Sequence, residues 1–154
     1  MKFRTEIPIP KYPFLIGYEH HSMFMGSCFS DHIGNYFENN GFPVSSNPFG
    51  ILFNPASIAN AIKMAIDADL FTDLFYSFYD DRWVSFAHHG KFSNADKLLF
   101  FENIANQLKS TNAFLKKTDF LFITFGTSYC YLHKEKNVIV SNCHKLPAQE
   151  FEKI

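Results

Sequence analysis

The spacing of apolar residues divides this chain into alternating strands and helices. Met23-Phe24-Met25 closes a short apolar run that begins at Ser22, and Gly26-Ser27-Cys28 interrupts it. From Phe29 onward Ile33, Tyr36 and Phe37 recur at helical spacing, up to a stop at Asn40-Gly41. The pattern predicts a strand over Ser22–Met25, a tight turn, and a helix that buries Ile33, Tyr36 and Phe37. Phe42–Ser46 reads as a second strand. Asn54-Pro55 is a helix start, with asparagine as the cap and proline in the first turn. Ile58, Ile62, Ala65 and Ile66 then form the face of that helix expected to be buried.

The rhythm changes after residue 74. Phe75–Tyr79 and Trp83–Ala87 flank Asp80-Asp81-Arg82, a β-hairpin pattern. After a candidate cap at Ser93-Asn94, Leu98, Phe101, Ile104, Ala105 and Leu108 predict a long helix. Residues 119–125 are almost continuously apolar and predict a strand buried on both faces, as in a parallel sheet. It ends in a second glycine turn, Gly126-Thr127-Ser128. Tyr129–His133 and Val138–Val140 flank Lys134-Glu135-Lys136-Asn137 as a second hairpin, followed by the polar cluster Ser141-Asn142-Cys143-His144-Lys145. A helix is expected after Pro147. Pro8, Pro10 and Pro13 predict an extended, irregular segment over residues 5–18, laid on the body of the protein. The order as a whole predicts an α/β domain with a mainly parallel sheet and two β-hairpin insertions.

Composition narrows the function more than the fold. With 154 residues, 47% hydrophobic content and 20 phenylalanines, the chain is expected to form a single domain over residues 1–154 with a real core. Fourteen basic residues against 15 acidic ones give a net charge of −1, which supplies no electrostatic case for nucleic acid or an anionic membrane as partner. No apolar run is long enough to span a bilayer, and the first residues lack the apolar core of a signal peptide, so a cytoplasmic location is expected. Cys28, Cys130 and Cys143 are odd in number and irregular in spacing, a poor basis for a disulfide framework. A helix expected to be still running at Ile154 predicts a C-terminal continuation, because domain boundaries usually fall in polar linkers.

The strongest chemical candidate is Ser27. A serine after a glycine turn, at the carboxyl end of a strand and the mouth of a helix, sits beside unpaired backbone N–H groups. Reactions that build negative charge are favoured there. Cys28 is the rival nucleophile, with an ordinary small buried cysteine as the plainer reading. His144 is the in-chain candidate for a general base, against a histidine that only braces its loop. Adjacent histidines on a strand face opposite ways, so at most one of His88-His89 can face a pocket. His20-His21 read as surface residues. Cys143 and His144, with Cys28 elsewhere, lack the paired spacing of a zinc site, so no metal is expected. Gly26-Ser27 and Gly126-Thr127 do not match a phosphate or dinucleotide fingerprint, so no cofactor is expected either. Tyr79 and Trp83 read as hairpin packing, with a sugar-stacking platform as the alternative.

Four blocks occur in one order: Gly26-Ser27-Cys28-Phe29-Ser30; Asn47-Pro48-Phe49-Gly50-Ile51-Leu52-Phe53-Asn54-Pro55-Ala56-Ser57-Ile58; Phe125-Gly126-Thr127; and Asn142-Cys143-His144-Lys145. Together they resemble the GSCFA-domain family, with serine in place of alanine at the end of the first block. That resemblance implies a three-layer, flavodoxin-like fold of the SGNH-hydrolase type. It also implies a serine ester hydrolase acting on a small-molecule or glycan ester, such as an acylated carbohydrate, or on a lipid. By the same resemblance Ser27 is the nucleophile, Gly50 an oxyanion donor, and Thr127 or Asn142 a substitute for the asparagine that usually follows the third strand. The late Asp-x-x-His block has no counterpart, which places the histidine and its carboxylate beyond Ile154 or leaves His144 as base. The alternative is a non-catalytic carbohydrate- or acyl-group-binding module on the same fold.

Overall fold

The structure, a computed structural model, describes residues 3, 5–141 and 145–154. Strand β1 (Ser22–Gly26) is central and fully buried. Strands β2 (Val44–Ser46) and β5 (Phe120–Thr124) flank it, both parallel to it, in the order β2-β1-β5. Alternation along β1 decides what lies on each face. Phe24 points towards helix α1 (Cys28–Asn39), edge-on to Phe37 and stacked on Phe122 at 4.6 Å. Met23 and Met25 point the other way, into the main core with helices α2 (Pro55–Ile66) and α3 (Lys97–Leu115). Ile58, Phe100, Ile104 and Leu108 are buried there, each contributing about 1.5–3 kcal/mol of hydrophobic stabilisation.

Both hairpins form. Strands β3 (Tyr76–Tyr79) and β4 (Arg82–Ser85) pair antiparallel across Asp80-Asp81. Both turn residues have positive φ, as a two-residue hairpin loop that follows the strand twist requires. Strands β6 (Tyr131–His133) and β7 (Val138–Val140) pair across residues 134–137. Val84, Phe86, Val140 and Phe151 form a smaller second core between the hairpins.

Several expectations are corrected. The helix expected after Pro147 is a single 3-10 turn (Ala148–Glu150), followed by strand β8 (Phe151–Lys153) on the free edge of β6. Phe151 decides this, because the pairing buries it against Phe86 and His133. Residues 119–125 are not enclosed: β5 is an edge strand among the described residues, and Leu121 and Ile123 are 41% and 40% exposed. Helix α1 buries Ser30 and Gly34 rather than Tyr36, because the helix lies close against β2; a Cβ at Gly34 would collide with the Ser46 side chain. Ile66 and Leu98 face solvent, and the cap of α3 is Asp96, whose carboxylate accepts from the amides of Leu98 and Leu99. The proline-rich segment is irregular and largely exposed, touching the body through Phe14 stacked on Phe120 and Tyr18 stacked on Phe42. Among the described residues no helix is long and apolar enough to cross a membrane.

Candidate functional site

The turn after β1 is built on a close approach between backbones. Gly26 has φ +134°, and a Cβ there would stand 1.9 Å from the Thr124 carbonyl oxygen. Ser27 follows as the N-terminal cap residue of α1, yet its side chain makes no capping bond. Its amide instead donates towards the Thr124 carbonyl and Oγ1, each at 3.1 Å. Its hydroxyl lies 2.8 Å from Thr124 Oγ1, which is 2.7 Å from Ser30 Oγ. The Ser30 hydroxyl donates to the Met25 carbonyl. Ser27 is 8% exposed, and the exposed thiol of Cys28 stands next to it in sequence.

The loop between β2 and α2 closes over this turn. Asn47, in the left-handed region at φ +40°, accepts the Gly26 amide on Oδ1 at 2.8 Å and donates its own amide to the Phe24 carbonyl. Asparagine tolerates that conformation and supplies the acceptor at once. The Leu52 amide donates to Gly26, and the amides of Gly126 and Thr127 donate to Phe53. Asn54 caps α2 as its sequence context requires, accepting from the Ser57 amide. Loop 47–54 therefore joins the carboxyl ends of β1 and β5.

Gly50 lies in this loop with φ +88°, its space closed by the His89 side chain, and its amide donates to the Asn47 carbonyl at 2.7 Å. The Thr127 amide is held by Phe53, and the Thr127 hydroxyl accepts from the Tyr129 amide. Structure thus brings Ser27, Gly50 and Thr127 to the same end of the sheet, while the amides of the latter two are already engaged. Asn142 and His144 lie outside the described residues, as does Cys143.

Lys145, the described residue of the last block, donates from its ammonium to the carbonyls of Ser85 and His88. Burial pushes the Lys145 pKa down to about 7. His88 and His89 occupy opposite environments. His88 is buried, its Nδ1 2.8 Å from Ser85 Oγ, which also accepts from the Ala87 amide. Among the described residues its Nε2 has no hydrogen-bond partner, and the ring is walled by Phe49, Phe71 and Phe92. Burial, with the Lys145 charge as a second cause, lowers its pKa to about 3, which favours the neutral ring near pH 7. His89 is exposed, and its Nδ1 accepts from the Lys91 amide.

The remaining candidates fall away from this centre. His20 and His21 are half-buried rather than superficial, packed against Phe120 and Phe114 at the far end of β1. Trp83 is packed among Tyr76, Phe78, Phe100 and Phe101, with the Lys97 ammonium over its ring, so it is a hairpin packing residue. A groove of about 790 Å³ between α2 and α3, floored by Ala65, Ile104 and Leu108, contains none of the motif residues.

Thr124, Ser30 and Asn47 are the site residues that reading the sequence missed. Asn47 stood within a quoted block, but its left-handed backbone and its bond to Gly26 leave no local mark. Thr124 is 97 positions from Ser27, and only the β1–β5 register brings the two hydroxyls together.

A family model described as the GSCFA family matches residues 21–154. No curated protein and no solved structure matches the chain.

Proposed function

The chain belongs to the GSCFA family, and on that premise we propose that it is a serine ester hydrolase with Ser27 as nucleophile, built on a three-layer SGNH-type fold. The observation that carries this reading is the placement of Ser27, at the carboxyl end of the central strand and held by side-chain and backbone bonds from its neighbour β5. Parallel strands in the order β2-β1-β5, with helices on both faces, support the fold. Ser27 Oγ would attack the ester carbonyl, the alcohol would leave, and water would release the acyl group. The tetrahedral oxyanion needs donors already in place. The first-turn amides of α1 receive no cap from the Ser27 side chain, whereas Gly50 and Thr127 must first release the carbonyls of Asn47 and Phe53. The candidate proton acceptor within this chain is His144.

One observation favours the non-catalytic alternative, an acyl- or carbohydrate-binding module: among the described residues no imidazole or carboxylate is bonded to the Ser27 hydroxyl. A fluorophosphonate probe separates the two, since it reacts covalently only with an activated hydroxyl. Labelling of the full-length protein at Ser27, abolished in Ser27→Ala, is expected for the hydrolase. A folded protein that takes no label is a binding module.

A further inference from the structure

A serine at the N-terminal cap of a helix ordinarily turns its oxygen onto the amides two or three residues ahead. Ser27 does not, and the hydroxyls around it explain why. Ser30 has one hydroxyl proton and donates it to the Met25 carbonyl, so towards Thr124 it accepts. Thr124 therefore gives its proton to Ser30, and its oxygen receives both the Ser27 hydroxyl proton and the Ser27 amide. The chain of donation runs one way: Ser27 to Thr124 to Ser30 to the Met25 carbonyl. Thr124 Oγ1 thus competes with the helix amides for the Ser27 side chain, and it holds that side chain in the observed position.

We propose that Thr124 is the positioning residue of Ser27: its hydroxyl keeps the serine oxygen off the α1 cap, so that Ser27 stands free of its own helix. The proposal rests on Ser27 as nucleophile for its purpose, while its geometry is independent of that reading. A capping serine would have its oxygen occupied by helix amides and those amides filled, which disables the nucleophile and removes its nearest oxyanion donors in one movement. No proton leaves the chain in the resting state. When a base takes the Ser27 proton, the Thr124 oxygen keeps the Ser27 amide and so holds the backbone of the turn.

The test is Thr124→Val, which keeps the shape and deletes the hydroxyl, beside Thr124→Ser, which restores it. Amide hydrogen exchange at Phe29 and Ser30 reads the cap directly. Released from Thr124, Ser27 is expected to cap, slowing exchange at one or both amides about fivefold in Thr124→Val and not in Thr124→Ser. Fluorophosphonate labelling of Ser27 is expected to fall about tenfold or more in Thr124→Val and to recover in Thr124→Ser. A purely structural threonine would speed exchange across α1 rather than slow it at its first turn. Unchanged exchange in Thr124→Val, or Thr124→Ser behaving like Thr124→Val, overturns the proposal. A wild-type protein that takes no label overturns the hydrolase reading instead, and the exchange data still decide the role of Thr124. If Thr124→Val does not fold, Ser27→Ala decides: a serine held off the cap contributes nothing to the first-turn amides, so exchange at Phe29 and Ser30 is expected to stay within about twofold of wild type, and clearly faster exchange there overturns the proposal.

Discussion

Gly26 and Thr124 are the last matched pair of the β1–β5 register, and there the two backbones are close enough to exclude any side chain from position 26. The atom that a Cβ would strike is the Thr124 carbonyl oxygen, which also receives the Ser27 amide, so it is not free to move aside. Position 26 also holds φ +134°, a conformation that L residues rarely adopt. Gly26→Ala is therefore expected to cost about 3 kcal/mol or more, or to prevent folding. Urea denaturation followed by circular dichroism measures this, and a midpoint equal to wild type would mean that the turn closes in some other way.

Asn47 carries two jobs that substitutions separate. Asn47→Gly keeps the left-handed backbone and deletes the acceptor for the Gly26 amide; Asn47→Asp keeps an acceptor. The buried Gly26 amide left without a partner should cost about 1–3 kcal/mol in Asn47→Gly, with Asn47→Ala worse because its backbone is strained as well. Asn47→Asp replaces the Nδ2 donor, which faces the Ser27 carbonyl and the Asp31 carboxylate, with a second buried carboxylate oxygen, so it is expected to fall below wild type as well. Gly above Ala in urea midpoint is the prediction, and an inversion of the two would remove the backbone argument.

Local signals made much of this fold legible. Asn54-Pro55 started α2, Asp80-Asp81 turned the first hairpin, and Gly26 ended β1. The errors share one cause: periodicity reports which residues are apolar, while neighbours decide which are covered. Tyr36 fits a helical stripe but α1 approaches the sheet through Ser30 and Gly34, and the apolar run of β5 lies at an edge. Phe151 falls within the helix expected after Pro147 but forms a strand, because the free edge of β6, which it joins, is distant information. The site divides in the same way. Ser27 carries a local turn signature and Gly50 rests on the family resemblance, whereas Thr124 and the bonds from Lys145 to the Ser85 and His88 carbonyls depend on contacts across the fold.

Cys28 is exposed next to Ser27 and gives a direct test of which atom reacts. Cys28→Ala is expected to leave fluorophosphonate labelling within about twofold of wild type, since the thiol makes no bond in the Ser27–Thr124–Ser30 chain. Alkylation of Cys28 with a bulky maleimide is expected to block labelling by occlusion. Loss of labelling in Cys28→Ala with Ser27 intact would transfer the nucleophile to the thiol.

His88 and Lys145 predict the pH dependence of stability. His88 has its pKa lowered from 6.5 to about 3 in the folded protein, first by burial and then by the Lys145 charge. Between those values the unfolded chain binds a proton that the native state does not, so stability is present above pH 6.5 and is lost as pH falls towards 3. Lys145 has its pKa lowered by burial from 10.5 to about 7, so across that window the unfolded chain again holds the extra proton and stability rises with pH. The two slopes have the same sign and adjoin, and the urea midpoint is expected to climb from pH 4 through pH 9. Two variants separate the windows. His88→Phe places another aromatic ring among Phe49, Phe71 and Phe92 and should flatten the acid limb relative to wild type. Lys145→Met should flatten the limb above pH 7 and, by removing the charge that faces His88, shorten the acid limb from its lower end. Wild-type and Lys145→Met curves that stay parallel from pH 7 to 10 would show that the Lys145 ammonium is not buried against the Ser85 and His88 carbonyls.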